Sequence, residues 1–118
     1  MKVIIDPGHG GSDTGAVAFG TTEKKLNLTF ATLVSQKLEQ LNIDVDRSLI
    51  NDLYYGSTQL TDLIRKSNAA ICISCHNNSA DGTARGSEII HSIHSNGKLA
   101  SLILDEIKKT GFPVRRVF

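Results

Sequence analysis

The sequence predicts an α/β fold: one domain over residues 1–118, with a mostly parallel, twisted sheet and helices on both faces. Short β-branched runs alternate with amphipathic stretches of roughly 10 to 15 residues, the pattern of strands joined by right-handed helical crossovers. A chain of 118 residues is long enough to bury one core. No repeat, low-complexity tract or linker divides it.

The first elements follow from apolar spacing. A buried strand is predicted over residues 2–6, because a β-branched run ends at Pro7 and Gly8. A helix is predicted over 23–41, capped by Thr21 or Thr22 and with an acidic residue in its first turn. Apolar residues three, four and seven apart predict its inward face: Leu26, Phe30, Leu33, Val34, Leu38 and Leu41.

The remaining elements alternate in type. Residues 43–46 are predicted as a half-buried or edge strand, and a polar loop over 47–56 leads to a helix near 57–66. Strands are predicted over 69–75 and 87–92, and a last helix ends at Gly111 and Pro113. The inward residues of the two helices are predicted to be Leu60, Leu63 and Ile64 in the first and Leu99, Leu102, Ile103 and Ile107 in the second.

Composition narrows the class of protein. The 40% hydrophobic and 21% charged content is that of a globular chain, and a net charge of +1 gives no case for nucleic acid or an anionic membrane. No apolar run approaches the roughly 20 residues that span a bilayer. The N-terminus reaches Asp6 and Pro7 too early for a signal peptide, so we expect synthesis in the cytoplasm and release by another route.

Two cysteines, Cys72 and Cys75, form C-x-x-C in "AICISC". A redox pair or half of a zinc knuckle is one interpretation. In a strand, however, positions three apart point to opposite faces and lie about 10 Å apart, which is too far for a disulfide. A buried strand is therefore the preferred interpretation.

The loop "IIDPGHGGSDTG" has three interpretations: a phosphate cradle, a metal site, or a tight turn with an incidental histidine. Its glycines match neither G-x-G-x-x-G nor the P-loop pattern, and it holds no lysine for a phosphate. In parallel sheets, ligands bind at the carboxyl ends of the strands. The loop carrying His9 and the loop opened by His76 both start at such ends.

A metal site needs a third ligand beside these histidines. Glu23 opens the next helix, but the residues alone do not favour it over Asp6, Asp13 or Glu88. Two imidazoles and one carboxylate suit Zn²⁺ with a fourth position open to water.

Three blocks in order, "IIDPGHGGSDTGA", "TTEKKLNLTFA" and "LIRKSNAAICISCHNNSADGTARGSEIIHS", resemble the zinc-dependent N-acetylmuramoyl-L-alanine amidases, from Val3 to roughly Arg116. The resemblance implies their α/β fold and zinc held by His9, Glu23 and His76. It implies hydrolysis of the amide between the lactyl group of muramic acid and L-alanine in peptidoglycan. Ser74 and Asn78 flank the second histidine, and Asn78 is the candidate substrate-binding residue.

The family also has a second glutamate, a general base or acid, in a strand near the end of its domain. That block would lie beyond Phe118, so we expect a C-terminally truncated domain that binds zinc but hydrolyses peptidoglycan poorly or not at all. Glu88 is the substitute candidate for the catalytic residue, and a sheet edge exposed by truncation could pair two chains. The other acids after His76 are Asp81, Asp105 and Glu106.

Two alternatives remain open. A cysteine peptidoglycan hydrolase would use Cys75 as nucleophile, with His91 or His94 as base. A zinc- or wall-binding module would use the polar loop with Asn77, Asn78, Asp81 and Arg85. Without a signal peptide, the chain resembles the catalytic domain of a phage endolysin, and a host sporulation enzyme is also compatible. Action on the bacterial wall after release is expected either way.

Overall fold

The computed structural model describes residues 1–79 and 83–118. Contacts divide the chain into two units, Met1–Asn78 and Ser79–Phe118, which are described in turn. The first unit contains β1 (Lys2–Pro7), β2 (Val17–Ala18), β3 (Thr21–Thr22), α1 (Glu23–Gln40), β4 (Asp44–Arg47), α2 (Ser57–Lys66) and β5 (Ile71–Cys75). The second contains β6 (Ser87–Ile89), α3 (Lys98–Lys109) and β7 (Val114–Val117).

The sheet of the first unit has the order β4-β1-β5, and both pairings are parallel. Its central strand, β1, is buried from Val3 to Pro7, as expected for a strand covered on both faces. Pro7 is paired with Cys75, so β1 and β5 end at the same edge of the sheet. The α/β class and the parallel sheet predicted from the sequence are confirmed.

Helix α1 packs on this sheet with a face that the apolar spacing does not predict. Its buried residues are Glu23, Asn27, Ala31 and Ser35. Only Val34 and Leu38 of the predicted inward set join the core, whereas Leu26, Phe30, Leu33 and Leu41 are 45%, 56%, 59% and 64% exposed. The prediction for those four was wrong. The small side chains of Ala31 and Ser35 lie on the buried face instead, and Glu23 and Asn27 can be buried there because they form hydrogen bonds.

The start of α1 also differs from the prediction. Thr22 occupies the cap position but its side chain makes no capping hydrogen bond. Backbone carbonyls of the preceding loop take this role instead: the Glu23 amide donates to Ala16 O (2.8 Å) and the Lys24 amide to Thr14 O (3.1 Å). The glycine-rich loop is therefore fastened to the helix that follows it.

A buried carboxylate, that of Asp6, connects neighbouring strands of the sheet by hydrogen bonds. Asp6, 3% exposed, accepts hydrogen bonds from the hydroxyls of Ser48 and Ser74. Ser74 lies in β5 and Ser48 follows β4, so Asp6 links the central strand to the segments on both sides.

The second unit is a parallel pair, β6 and β7, connected through α3. The predicted strand over 87–92 ends earlier, at Ile89, and the predicted inward residues Leu99 and Leu102 of α3 are 46% and 54% exposed. The strand β7 and the hairpin formed by β2 and β3 are absent from the sequence prediction. The hairpin strands have two residues each, too few to show a period, and β7 has two arginines between its valines.

Among the described residues, no helix combines the length and the apolar character needed to cross a bilayer. Asp81, named above among the acids and in the polar loop, lies outside the described residues.

Candidate metal centre

Two histidines meet at one edge of the sheet because their strands are neighbours. His9 follows β1 and His76 follows β5 directly, and the pairing extends past the strand end, where the Gly8 amide donates to Cys75 O (2.9 Å). The two imidazole rings stand nearly perpendicular, with centroids 5.1 Å apart. The sequence prediction that both loops start at one sheet edge is thus met in the structure.

Glu23 lies between the two rings and faces both. Its Oε2 is 3.2 Å from His9 Nε2, and its Oε1 is 3.2 Å from His76 Nδ1. One ligand atom from each of the three residues lies within 4.8 Å of the other two. Of the four carboxylates left open by the sequence, Glu23 is the one grouped with both histidines.

The Glu23 carboxylate is 7% exposed and held by hydrogen bonds. Burial by itself raises its pKa, but donation from the Ala16 amide (3.1 Å), the Asn77 amide (2.9 Å) and the Asn27 side chain (3.4 Å) outweighs it. Together with the charge of His9, these bonds lower the pKa of Glu23 to about 2. The side chain is therefore an anion at neutral pH.

Asp13 orients the first histidine. Its Oδ2 is 2.9 Å from His9 Nδ1, and its Oδ1 accepts from the Gly15 amide (3.0 Å). The hydrogen bond to Asp13 raises the pKa of His9 against the opposing effect of burial, and the pKa of Asp13 is lowered in turn. Asp13 thus occupies the Nδ1 side of the ring, and Nε2 is directed at Glu23. A metal-binding histidine usually has a carboxylate or carbonyl on its second ring nitrogen in this way.

Two glycines make room for these side chains. A Cβ at Gly8 would lie 2.2 to 2.6 Å from three ring atoms of His76. A Cβ at Gly15 would lie 2.6 Å from His9 Cδ2 and 2.8 Å from Glu23 Oε2, and its φ of +61° also favours glycine. The glycines are thus explained by close approach to the candidate ligands, which the sequence alone does not reveal.

The other residues named as candidate metal, catalytic or substrate-binding residues lie elsewhere or have other roles. Asp6 is bonded to serines, and Asp13 supports His9. Glu88 lies in β6 of the second unit, where Arg116 Nε (3.4 Å) and Arg115 Nη1 (4.0 Å) approach its carboxylate. Asn78 is exposed and has contacts of its own, and its predicted role in substrate binding stays a prediction.

Asn27 is a residue of the centre that the sequence analysis does not identify. It lies one helical turn after Glu23, is fully buried, and donates to the Glu23 carboxylate. A residue four positions after a candidate ligand lies on the same face of a helix, and this spacing is the signal that could have found it.

The two cysteines alternate in exposure as a strand predicts, but β5 is only partly buried, so the expectation of a buried strand was wrong. Cys75 is buried and Cys72 is exposed, and both are free thiols. Burial raises the pKa of Cys75 to about 11 and also raises that of Cys72. Such thiols are poor nucleophiles at neutral pH.

Comparison with known proteins identifies the relatives of this chain. Residues 3–117 match the family model described as N-acetylmuramoyl-L-alanine amidase. The amidase CwlM of Bacillus licheniformis is 41% identical over 85 residues, covering 70% of this chain and 34% of CwlM. The chain thus spans about a third of the length of this curated relative.

Solved structures show the same fold. The amidase AmiC2 of Nostoc punctiforme superposes with a TM-score of 0.90 and 28% identity, covering 99% of this chain and 67% of AmiC2. The catalytic domain of the amidase CwlV from Bacillus (Paenibacillus) polymyxa var. colistinus gives 0.89 and 26% identity, covering 98% and 68% of the two chains.

Proposed function

Because this chain belongs to the N-acetylmuramoyl-L-alanine amidase family, we propose that it holds zinc between His9, Glu23 and His76 and uses this centre on peptidoglycan. The bond concerned is the amide between the lactyl group of N-acetylmuramic acid and L-alanine. Its hydrolysis consumes one water and leaves a carboxylate on the lactyl group and a free amine on alanine. The observation that carries the proposal is the convergence of three ligand atoms within 4.8 Å.

The donor set fits zinc. Two imidazole nitrogens and one carboxylate oxygen are the protein ligands found in several hydrolytic zinc sites. Zinc held by three such ligands supplies an activated water and polarises the substrate carbonyl.

The chain's own residues prepare the ligands for this role. A carboxylate with a pKa of about 2 needs no proton loss before it binds a cation at neutral pH. The bond from His9 to Asp13 places the ring proton on Nδ1, which leaves the Nε2 lone pair available on the side facing Glu23. Both histidines remain partly open to solvent, at 24% and 48% of their side chains, so a substrate can approach from that side.

A second candidate function is a zinc- or wall-binding module without turnover. The observation that favours it concerns Glu88, the substitute for the family's catalytic glutamate, because this carboxylate is engaged by Arg115 and Arg116. Turnover of purified cell walls by the chain, measured as new N-terminal alanine, supports the amidase. Loss of that turnover in Glu88→Gln would assign Glu88 the catalytic role.

The cell wall as the place of action is part of the same proposal, and the family match supports it. Self-association stays a prediction. Among the described strands, β4 and β5 each pair only with β1 and are the two edge strands of this sheet.

Zinc content tests the proposal most simply. The wild-type chain, loaded with zinc and desalted, is expected to keep about one ion per chain, whereas His9→Ala and His76→Ala are expected to keep far less. His94→Ala is the matched control, since this exposed histidine lies outside the cluster. Equal zinc in all four proteins, or none in the wild type, would contradict the proposed centre.

A further inference from the structure

Asn27 is buried more completely than its chemistry favours. Its side chain is 0% exposed, on the face of α1 that packs against the sheet. An amide removed from water without hydrogen-bond partners destabilises the folded protein. A buried amide at this position therefore depends on the hydrogen bonds that it makes.

Its hydrogen bonds reach all three parts of the candidate metal centre. The Nδ2 group donates to Gly8 O (2.9 Å) and to Glu23 Oε1 (3.4 Å), and Oδ1 accepts from Asn77 Nδ2 (2.7 Å). Gly8 precedes His9 and Asn77 follows His76 in the chain. One side chain thus contacts one candidate ligand and the immediate neighbours of the other two.

Two of these partners, Gly8 and Asn77, lie 19 and 50 residues away from Asn27, and the third, Glu23, lies 4 residues away in the same helix. The amide therefore fixes the distances between the loop after β1, the first turn of α1 and the loop after β5. Removing it would leave Gly8 O and the Asn77 amide without this partner, and the Glu23 carboxylate with one donor fewer. The three ligands would then be held less firmly before a metal arrives.

We propose that Asn27 is a positioning residue of the metal centre, whose amide preorganises His9, Glu23 and His76 for binding. This inference rests on the proposed zinc centre. A buried amide that served the fold alone would affect unfolding but leave the affinity of the folded protein for zinc unchanged. Zinc affinity and stability of the metal-free protein must therefore be measured separately.

Ser35 offers a matched control. It lies on the same buried face of α1, two turns further along, and is 1% exposed. Its hydroxyl donates to Ala31 O (2.8 Å) within the helix and so contacts none of the candidate ligands. Ser35→Ala removes a buried hydrogen bond without touching the centre.

The experiment compares wild type, Asn27→Ala and Ser35→Ala by zinc competition with a chromophoric chelator and by thermal unfolding without metal. Asn27→Ala is expected to bind zinc 10- to 100-fold more weakly, the usual range for groups that support a metal ligand. Ser35→Ala is expected to keep wild-type affinity. Zinc should also raise the melting temperature of Asn27→Ala less than that of the wild type.

Wild-type affinity in a folded Asn27→Ala would overturn the positioning role while leaving the zinc centre intact. Absence of zinc binding by the wild type would instead refute the proposed function. If Asn27→Ala does not fold, Asn77→Ala replaces it, since this exposed side chain contributes the bond to Asn27 Oδ1. A weakened affinity there supports the role, and an unchanged affinity contradicts it.

Discussion

The molecule contains two pairs of histidines, and they differ in what surrounds them. His9 and His76 follow neighbouring parallel strands and share a buried, hydrogen-bonded carboxylate. In the second unit, His91 Nδ1 lies 2.9 Å from both Ser92 O and Ser95 Oγ, and His94 is exposed. The second pair is close in sequence and the first is not. Strand topology and a buried anion, rather than spacing in the chain, therefore distinguish a candidate metal centre.

Replacing Glu23, the carboxylate that His9 and His76 share, should have the largest effect on zinc affinity. In Glu23→Gln, a neutral amide replaces the anionic ligand, and its NH₂ group takes the place of one carboxylate oxygen, where it faces a donating amide, either that of Ala16 or that of Asn77. We expect a loss of zinc affinity of at least about 100-fold and a loss of about 2 kcal/mol in the free energy of unfolding. Chelator competition and urea unfolding measure the two quantities.

Glu106→Gln is the control for that variant, because this carboxylate is exposed on α3 and bonded to Lys109. It is expected to bind zinc and unfold like the wild type. If Glu23→Gln retained wild-type zinc affinity, the carboxylate would not be what separates the two histidine pairs.

A smaller effect is expected from filling the space beside the ligands. Gly15→Ala adds a Cβ 2.6 Å from His9 Cδ2, whereas Gly20→Ala has a similar positive φ and no atom within 4 Å of its Cβ. Both should lose about 1 kcal/mol or more of stability from backbone strain. Only Gly15→Ala should bind zinc more weakly, by about tenfold. Equal zinc affinity in the two variants would show that the close approach at Gly15 does not matter for the ligands.

The sequence predicts two candidate ligands at one sheet edge but misses the residues that support them, for a physical reason. His9 and His76 are predictable because each follows a predicted strand within a few residues, near the carboxyl edge of the sheet. Gly8 and Asn27 contact His76 and Asn77, which lie far away in the chain, and no local pattern records those contacts. Gly15 lies close to His9 and Glu23 because of the fold of the loop.

The face of α1 shows the same limit. Counting apolar residues favours an inward set that includes Leu26, Phe30 and Leu33. These three are exposed, and the buried face carries Glu23, Asn27 and Ala31. Polar residues can occupy that face because their hydrogen bonds are completed by the loops after β1 and β5. The helix was predicted from its period, but the direction it faces depends on those tertiary bonds.

The last contrast concerns Cys75, whose reactivity distinguishes the zinc centre from a thiol site. Alkylation requires the thiolate, and a pKa of about 11 lies far above neutral pH. At pH 8 the native thiol should react with iodoacetamide roughly 100-fold more slowly than a thiol with a pKa near 9, and the rate should rise as the pH approaches 11. Mass spectrometry of the labelled peptide, native against denatured, measures this. Rapid native labelling at pH 8 would favour the cysteine hydrolase.

The ligands of bound zinc test the central claim most directly. X-ray absorption at the zinc edge of the loaded wild-type chain should show two imidazole nitrogens at about 2.0 to 2.1 Å and a carboxylate oxygen at about 2.0 to 2.2 Å. His76→Ala should lose one imidazole contribution, and His94→Ala should leave the spectrum unchanged. A thiolate sulfur at about 2.3 Å, or a spectrum insensitive to His76→Ala, would contradict a centre built from His9, Glu23 and His76.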